Sequence, residues 1–208
     1  MTGFDVSFNE QDLAKIGARK DSKELQPLTS VRPGQHAYVI EERYNRFAQQ
    51  TRWGLVPPFW MDHPQYRDEQ TIQTIRQERL HLPCWDNLLR SHKAIIPMTD
   101  YYIRHKNRLW QSKFIDEGPL WVAGFRAMRE DTIRNKKYGG SWGFSIITTI
   151  PSNSSPLQGT FVPMTLPDFL AKEWLEEGTD PRRAREILNG NHRAYMEVQP
   201  IQMLSQSA

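Results

Sequence analysis

Apolar positions along the chain change their period several times, and each change predicts an element. In residues 8–18 (FNEQDLAKIGA), Leu13, Ala14 and Ile16 gather near one helical face, with Asn9 or Glu10 placed to begin the helix. Residues 19–30 are polar and show no period. Pro33-Gly34 then signals a turn, and HAYVIE at 36–41 alternates as a half-buried strand does. RFAQQTRWGLVPP at 46–58 predicts a second strand, which the proline pair stops. Residues 61–70 read as loop, while TIQTIRQERL at 71–80 fits a strand, a helix or one passing into the other. LPCWDNLLRSH at 82–92 predicts a short helix packed through Trp85, Leu88 and Leu89.

Strands follow at 93–105, 108–115, 119–128 and 141–150, the last buried by its apolar and β-branched content. Residues 161–166 are extended. A helix over 166–178 has Pro167 near its start, an apolar face of Phe169, Leu170, Trp174 and Leu175, and Gly178 as its stop. Another over 180–190 is capped by Asp180, carries Pro181 at its first position and stops at Gly190. A short strand at 197–204 ends the pattern. Strands do not alternate regularly with helices, which argues against a Rossmann-like sheet. The pattern predicts an α+β fold, a mostly antiparallel β core with peripheral helices, in a single domain over 1–208.

Composition sharpens this picture. A hydrophobic fraction of 38% and an aromatic fraction of 11% are enough for an aromatic-rich core. The mean hydropathy of −0.69 predicts a soluble chain. No apolar run approaches the ~20 residues of a membrane span, and no basic-then-apolar leader opens the sequence, so a cytoplasmic location is expected. Cys84 is the single cysteine, which excludes an internal disulfide framework and a multi-cysteine metal site. The six histidines show no ligand spacing, so neither metal nor cofactor is expected. A net charge of +3 permits an anionic partner without requiring one. Basic residues cluster at 104–108, 133–140 and 181–185, each expected to be a solvated loop or helix face.

Signatures of common chemistry are missing: no Gly-rich phosphate loop, no Gly-x-Ser-x-Gly elbow, no His-Glu-x-x-His. Cys84, between Pro83 and Trp85, is expected to pack rather than react. Thr2 follows Met1, and a trimmed chain would place its hydroxyl beside a free amine, a pairing that can act as nucleophile and base. In RWGLVPPFW, Phe59 and Trp60 come after a strand end, where they either cap the core or form a stacking platform for unpaired bases.

At this segment the chain resembles the SRAP (SOS response-associated peptidase) family, whose members include proteins that bind abasic sites in single-stranded DNA. VRPG at 31–34 resembles the family's Asn-x-x-Pro-[Gly/Thr] element, and RWGLVPPFW its Trp-Gly-x-x-Pro-x-Trp-Trp element. IRQER matches Asn-Ala-Arg-x-Glu-Thr at Arg76 and Glu78, and IIPMTDYYI is similar to Ile-Pro-Ala-Asp-Gly-Phe-Tyr-Glu. VAGF and FSIITT look like two core strands, and FVPMTLPDFLAKEWL resembles Arg-Met-Pro-Val-Ile-Leu with its following helix. The resemblance implies a barrel-like β core with a groove for single-stranded DNA.

It also implies a mechanism in which a cysteine after the initiator Met captures the ring-opened abasic sugar, the amine forming an imine and the thiol closing a thiazolidine. Here Thr2 takes that cysteine's place, Thr74 the asparagine's, Ile103 the glutamate's and Gly159 the histidine's. The implied site is therefore one of binding. Arg76 stands at a phosphate-facing position, Glu78 is placed to orient it, Phe59 and Trp60 stack bases, and Pro33 and Thr148 fall near the same groove. Phe161 replaces a usual arginine. Three functions follow as expectations: binding of single-stranded, possibly abasic, DNA without a cross-link; a protein-interaction module on the same fold; or Schiff-base lyase chemistry at the Thr2 amine.

Overall fold

The computed structural model describes residues 1–20, 24–42, 45–60, 71–115, 118–129, 141–151, 155–190 and 196–201. The expected loop at 61–70, the basic segment at 133–140 and the last residues of the strand at 197–204 lie outside them. The strands are β1 (Gly3–Val6), β2 (Arg19–Lys20), β3 (Leu28–Val31), β4 (His36–Ile40), β5 (Phe47–Trp53), β6 (Thr74–Arg76) and β7 (Lys93–Met98). They continue as β8 (Asp100–His105), β9 (Arg108–Phe114), β10 (Leu120–Arg129), β11 (Ser141–Thr149), β12 (Val162–Pro163), β13 (Thr165–Leu166) and β14 (Met196–Pro200). The helices are α1 (Glu10–Lys15), α2 (Asp86–Ser91), α3 (Asp168–Leu175) and α4 (Pro181–Asn189).

Strands β5, β4, β7, β10 and β11 pair in that order, and β11 pairs back onto β5, closing a five-stranded barrel. The closing pair is parallel (Gly143↔Arg52, Phe144↔Trp53), whereas the other barrel pairs are antiparallel. Closure removes the exposed edges that an open sheet would present. β6 continues along the same edge of β11, from Ile146↔Thr74 to Thr148↔Arg76. Between β5 and β6, Leu55 bridges Ile72, which holds the end of β5 beside the start of β6. Gly143 allows this, because its backbone lies so close to the Gly54 carbonyl that a Cβ would collide with it.

A second sheet, ordered β14-β9-β8-β1-β3 and antiparallel throughout, covers the barrel. The Phe4 ring of β1 meets Trp53 of β5 edge-on at 5.1 Å, and Trp53 stacks on Phe144 at 6.2 Å. These rings belong to one continuous hydrophobic cluster, and burying each large side chain contributes on the order of 1.5–3 kcal/mol. α3 docks through Leu170, Ala171, Trp174 and Leu175, with the indole N–H of Trp174 donating to the Ala94 carbonyl at 3.0 Å.

The α+β class, the antiparallel core and the four helices match the sequence expectation, and several details differ. Phe169 is 69% exposed and not on the apolar face, because α3 ends at Leu175 and its inward stripe begins at Leu170. Cys84 is exposed, in a 3-10 turn (Pro83–Trp85) that turns Trp85 and not its neighbour inward. The ambiguous 71–80 segment is strand first, as β6, then a 3-10 turn over Gln77–His81. β1 and β3 carried too few alternating positions to be seen.

Candidate nucleic-acid interface

Arg76 ends β6 in an exposed position, directly across from Thr148 of β11. Its guanidinium carbon lies 4.1 Å from the centroid of the Phe161 ring. Stacking of this kind uses the face of the guanidinium and leaves its in-plane N–H donors pointing outward. Among the described residues Arg76 makes no ion pair. The Phe161 ring therefore sets the plane of the Arg76 guanidinium. Thr148 is buried, and its hydroxyl donates to the Ile75 carbonyl at 3.3 Å, which fixes the strand beneath Arg76. Glu78 lies two residues on, exposed in the 3-10 turn, and is not paired with Arg76. Its backbone carbonyl instead meets the His81 ring.

The chain start is held by β8. The Thr2 amide donates to the Tyr102 carbonyl at 2.8 Å, and the Thr2 hydroxyl donates to the same oxygen at 3.0 Å. Below it, the Tyr102 hydroxyl donates to Asp5 at 2.5 Å, and the other Asp5 oxygen accepts from the Ser30 amide at 2.6 Å. Burial, and then the bond to the Asp5 carboxylate, push the Tyr102 hydroxyl well above the usual range, so it stays a donor. Burial also holds the Met1 amine below its usual value.

The register places Gly3 across from Tyr102 and Phe4 across from Val31. Thr2 accordingly stands between Ile103 on one side and the chain leaving β3, Arg32 and Pro33, on the other. Pro33 is exposed in the following turn, where Gly34, at φ +90°, donates its amide to the Trp53 carbonyl at 2.8 Å. The Trp53 indole N–H donates onward to the Gln73 carbonyl at 2.9 Å, and β6 begins at the next residue. One hydrogen-bonded path thus ties Pro33 to the Thr74–Arg76 strand.

Phe59 and Trp60 lie in a 3-10 turn (Pro58–Trp60), both half-buried. The Phe59 ring is perpendicular to Trp85 at 5.0 Å and packs against the core while staying half-buried. Trp60 makes no ring contact among the described residues.

Ile103, Thr74 and Gly159 carry no side chain that titrates near neutral pH. Ile103 is apolar and 1% exposed. Thr74 is an exposed hydroxyl. Gly159 occupies an exposed turn at φ +83° with open space beside it. Among the described residues no group of His, Cys, Asp and Glu is arranged to hold a metal ion, and no helix is long and apolar enough to cross a membrane.

A closed five-stranded barrel covered by a sheet that carries the chain start, with an exposed arginine at the barrel edge, defines a class of protein. The family model for SRAP, SOS response associated peptidase, matches residues 4–206, and the chain belongs to that family. No curated protein matches it. Solved structures that share the fold include the following three. A phage-related protein of Bordetella bronchiseptica is 18% identical with a TM-score of 0.71, covering 98% of this chain and 95% of that one. A second protein of the same organism is 17% identical at 0.69, covering 98% and 100%. A protein of Bacteroides thetaiotaomicron is 19% identical at 0.72, covering 96% and 92%.

Proposed function

We propose that this protein binds single-stranded DNA, abasic DNA included, as a noncovalent member of its family. Membership in the SRAP family supports a role connected with DNA damage. The observation that carries the finer reading is Arg76: exposed, oriented by the Phe161 ring, and with donors that meet no acceptor among the described residues. A guanidinium fork of this kind suits two oxygens of one phosphate. Pro33 and Thr148 shape the floor beside it, Trp60 offers a half-exposed ring for a base, and Phe59 and Glu78 serve at the margin. The family's cross-link needs a thiol, and at Thr2 a hydroxyl stands in its place. A cytoplasmic protein acting as one unit over 1–208, needing no metal or cofactor, fits these parts.

The test is fluorescence anisotropy with a single-stranded oligonucleotide over a salt series. Binding should weaken steeply with salt, with a log–log slope of about −0.7 per phosphate contact. Arg76→Ala should lower affinity about tenfold and flatten the slope by one such contact, while Arg76→Lys restores the charge but not the fork. No binding of the unaltered protein at low salt would refute the proposal.

A second reading starts from the Thr2 nitrogen, which β8 holds at 2.8 Å from the Tyr102 carbonyl. If Met1 is removed, a partly neutral Thr2 amine can add to the aldehyde of an abasic sugar and lose water to give an imine. Borohydride would reduce that imine to a stable amine adduct.

A further inference from the structure

The basic segment at 104–108 forms the tip of the β8–β9 hairpin, and it carries charge that the described fold does not use. Lys106 and Asn107 lie at φ +46° and +59°, the left-handed pair of a type I′ turn, so the tip is a tight and defined structure. The pairs Arg104↔Leu109 and His105↔Arg108 set its faces. Directly paired residues share a face and alternate along the strand. Thr2, Ile103, His105 and Arg108 therefore line one face, and Arg104 stands on the other. His105 and Arg108 sit two residues beyond Ile103, about 7 Å further along the sheet from Thr2.

The three basic clusters differ in what holds them. On α4, Arg182 pairs with Glu186 at 3.4 Å, Arg183 with Glu173 at 2.6 Å, and Arg185 with Asp86. That cluster is a neutralised face. The segment at 133–140 lies outside the described residues. By contrast, Arg32, Arg52, Arg104, Lys106 and Arg108 are exposed and enter no ion pair among the described residues. Arg52 donates only to the Gly34 carbonyl, at 3.2 Å, beside Pro33. Residues 31–36 and 101–109 contain no Asp or Glu. The nearest carboxylate in register, Asp5, has both oxygens occupied by Ser30 and Tyr102. The hairpin tip, the chain leaving β3 and the adjacent end of β5 thus present five cations that enter no ion pair among the described residues.

We infer that the β8–β9 hairpin tip is a second phosphate-contact site for a nucleic-acid strand that crosses the turn near Thr2, with Lys106 at the turn, Arg108 on the Thr2 face and Arg104 on the opposite face each meeting its sugar–phosphate backbone. Arg32 and Arg52 flank the same path on the β3 side. This rests on the nucleic-acid reading of the Arg76 site and extends it from one phosphate to several. Exposed cations contribute little to folding, yet each one placed against a phosphate releases a counterion and adds to the salt dependence of binding.

The experiment compares the full-length protein with a variant carrying Arg104→Gln, Lys106→Gln and Arg108→Gln, and with Lys106→Gln alone. Anisotropy with a single-stranded oligonucleotide over a salt series reads the slope. The triple variant should flatten it by about 2 and the single variant by about 0.7, with thermal unfolding of the single variant unchanged. If the unaltered protein binds and both variants keep its affinity and slope, the hairpin inference is overturned and the Arg76 reading stands. If the unaltered protein does not bind, both fail together. If slopes are unchanged but an acidic peptide binds in a hairpin-dependent way, the partner is protein and the inference is overturned in favour of that surface.

Discussion

Arg76 and Phe161 form a contact that their places in the sequence do not announce. In the sequence, Phe161 marks the removal of a cation. In the fold its ring lies under Arg76 at 4.1 Å, a contact worth about 0.5–1 kcal/mol at an exposed site. Arg76 itself was legible through its motif, whereas its orienting partner was not, because 85 residues separate them and only the β6–β11–β12 pairing brings them near. Glu78 shows the converse: proximity in sequence suggested a partner that the 3-10 turn does not deliver. Lys93 was invisible as a special residue. Its side chain is buried, and its amine donates to the Glu176 carbonyl at the end of α3, at 2.9 Å. Burial lowers its pKa to about 8, with Glu176, Glu173 and Glu42 opposing that shift. Between about 8 and the unfolded value of roughly 10.4, the unfolded chain binds a proton that the folded chain has released. Stability contributed by this group therefore rises with pH across that window, by at most about 1.4 kcal/mol per pH unit. Urea unfolding should show the unaltered protein gaining on Lys93→Met as pH rises from 8 to 10; parallel profiles would contradict the assignment.

At the scale of elements, helices were read well because their signals are local. Asn9 caps α1 with its side chain accepting from Gln11 and Asp12, and Asp180 caps α4 by accepting from Arg182. Strand partners are set by distant residues, so the parallel closure of β11 on β5 left no mark in the period of either strand. What closes the barrel also fills one of its ends. Arg126 of β10 pairs with Glu41 at 2.6 Å and donates to Thr51 and Gln49 of β5 at 2.8 and 3.1 Å, while its guanidinium stacks over Trp142 of β11 at 4.2 Å. Both charges are buried. A buried pair adds little net stability, but removing one partner strands the other. Glu41→Gln should therefore destabilise the protein by about 3–5 kcal/mol, measured as a lower urea midpoint with an unchanged m-value. A shift within error would show that the polar neighbours suffice.

The whole molecule separates two properties that the family resemblance joins. On the DNA-binding proposal, the binding parts are the exposed arginine, the turn at Pro33, and cations that enter no ion pair among the described residues. At the positions to which the resemblance assigns bond-making, Thr2, Thr74, Ile103 and Gly159 offer a hydroxyl, a second hydroxyl, a buried alkyl chain and no side chain. The order of motifs made the family and the α+β barrel legible across nearly the whole chain. The charge distribution was not, since a net +3 looks the same whether its cations are paired, as on α4, or open, as on the β8–β9 hairpin. The most direct measurement incubates the protein with a labelled single-stranded oligonucleotide containing one abasic site. The same sample is then read by anisotropy and on a denaturing gel. Salt-sensitive binding with no adduct surviving denaturation is the predicted result. A heat-stable adduct formed without borohydride, or an absence of binding at low salt, would contradict it.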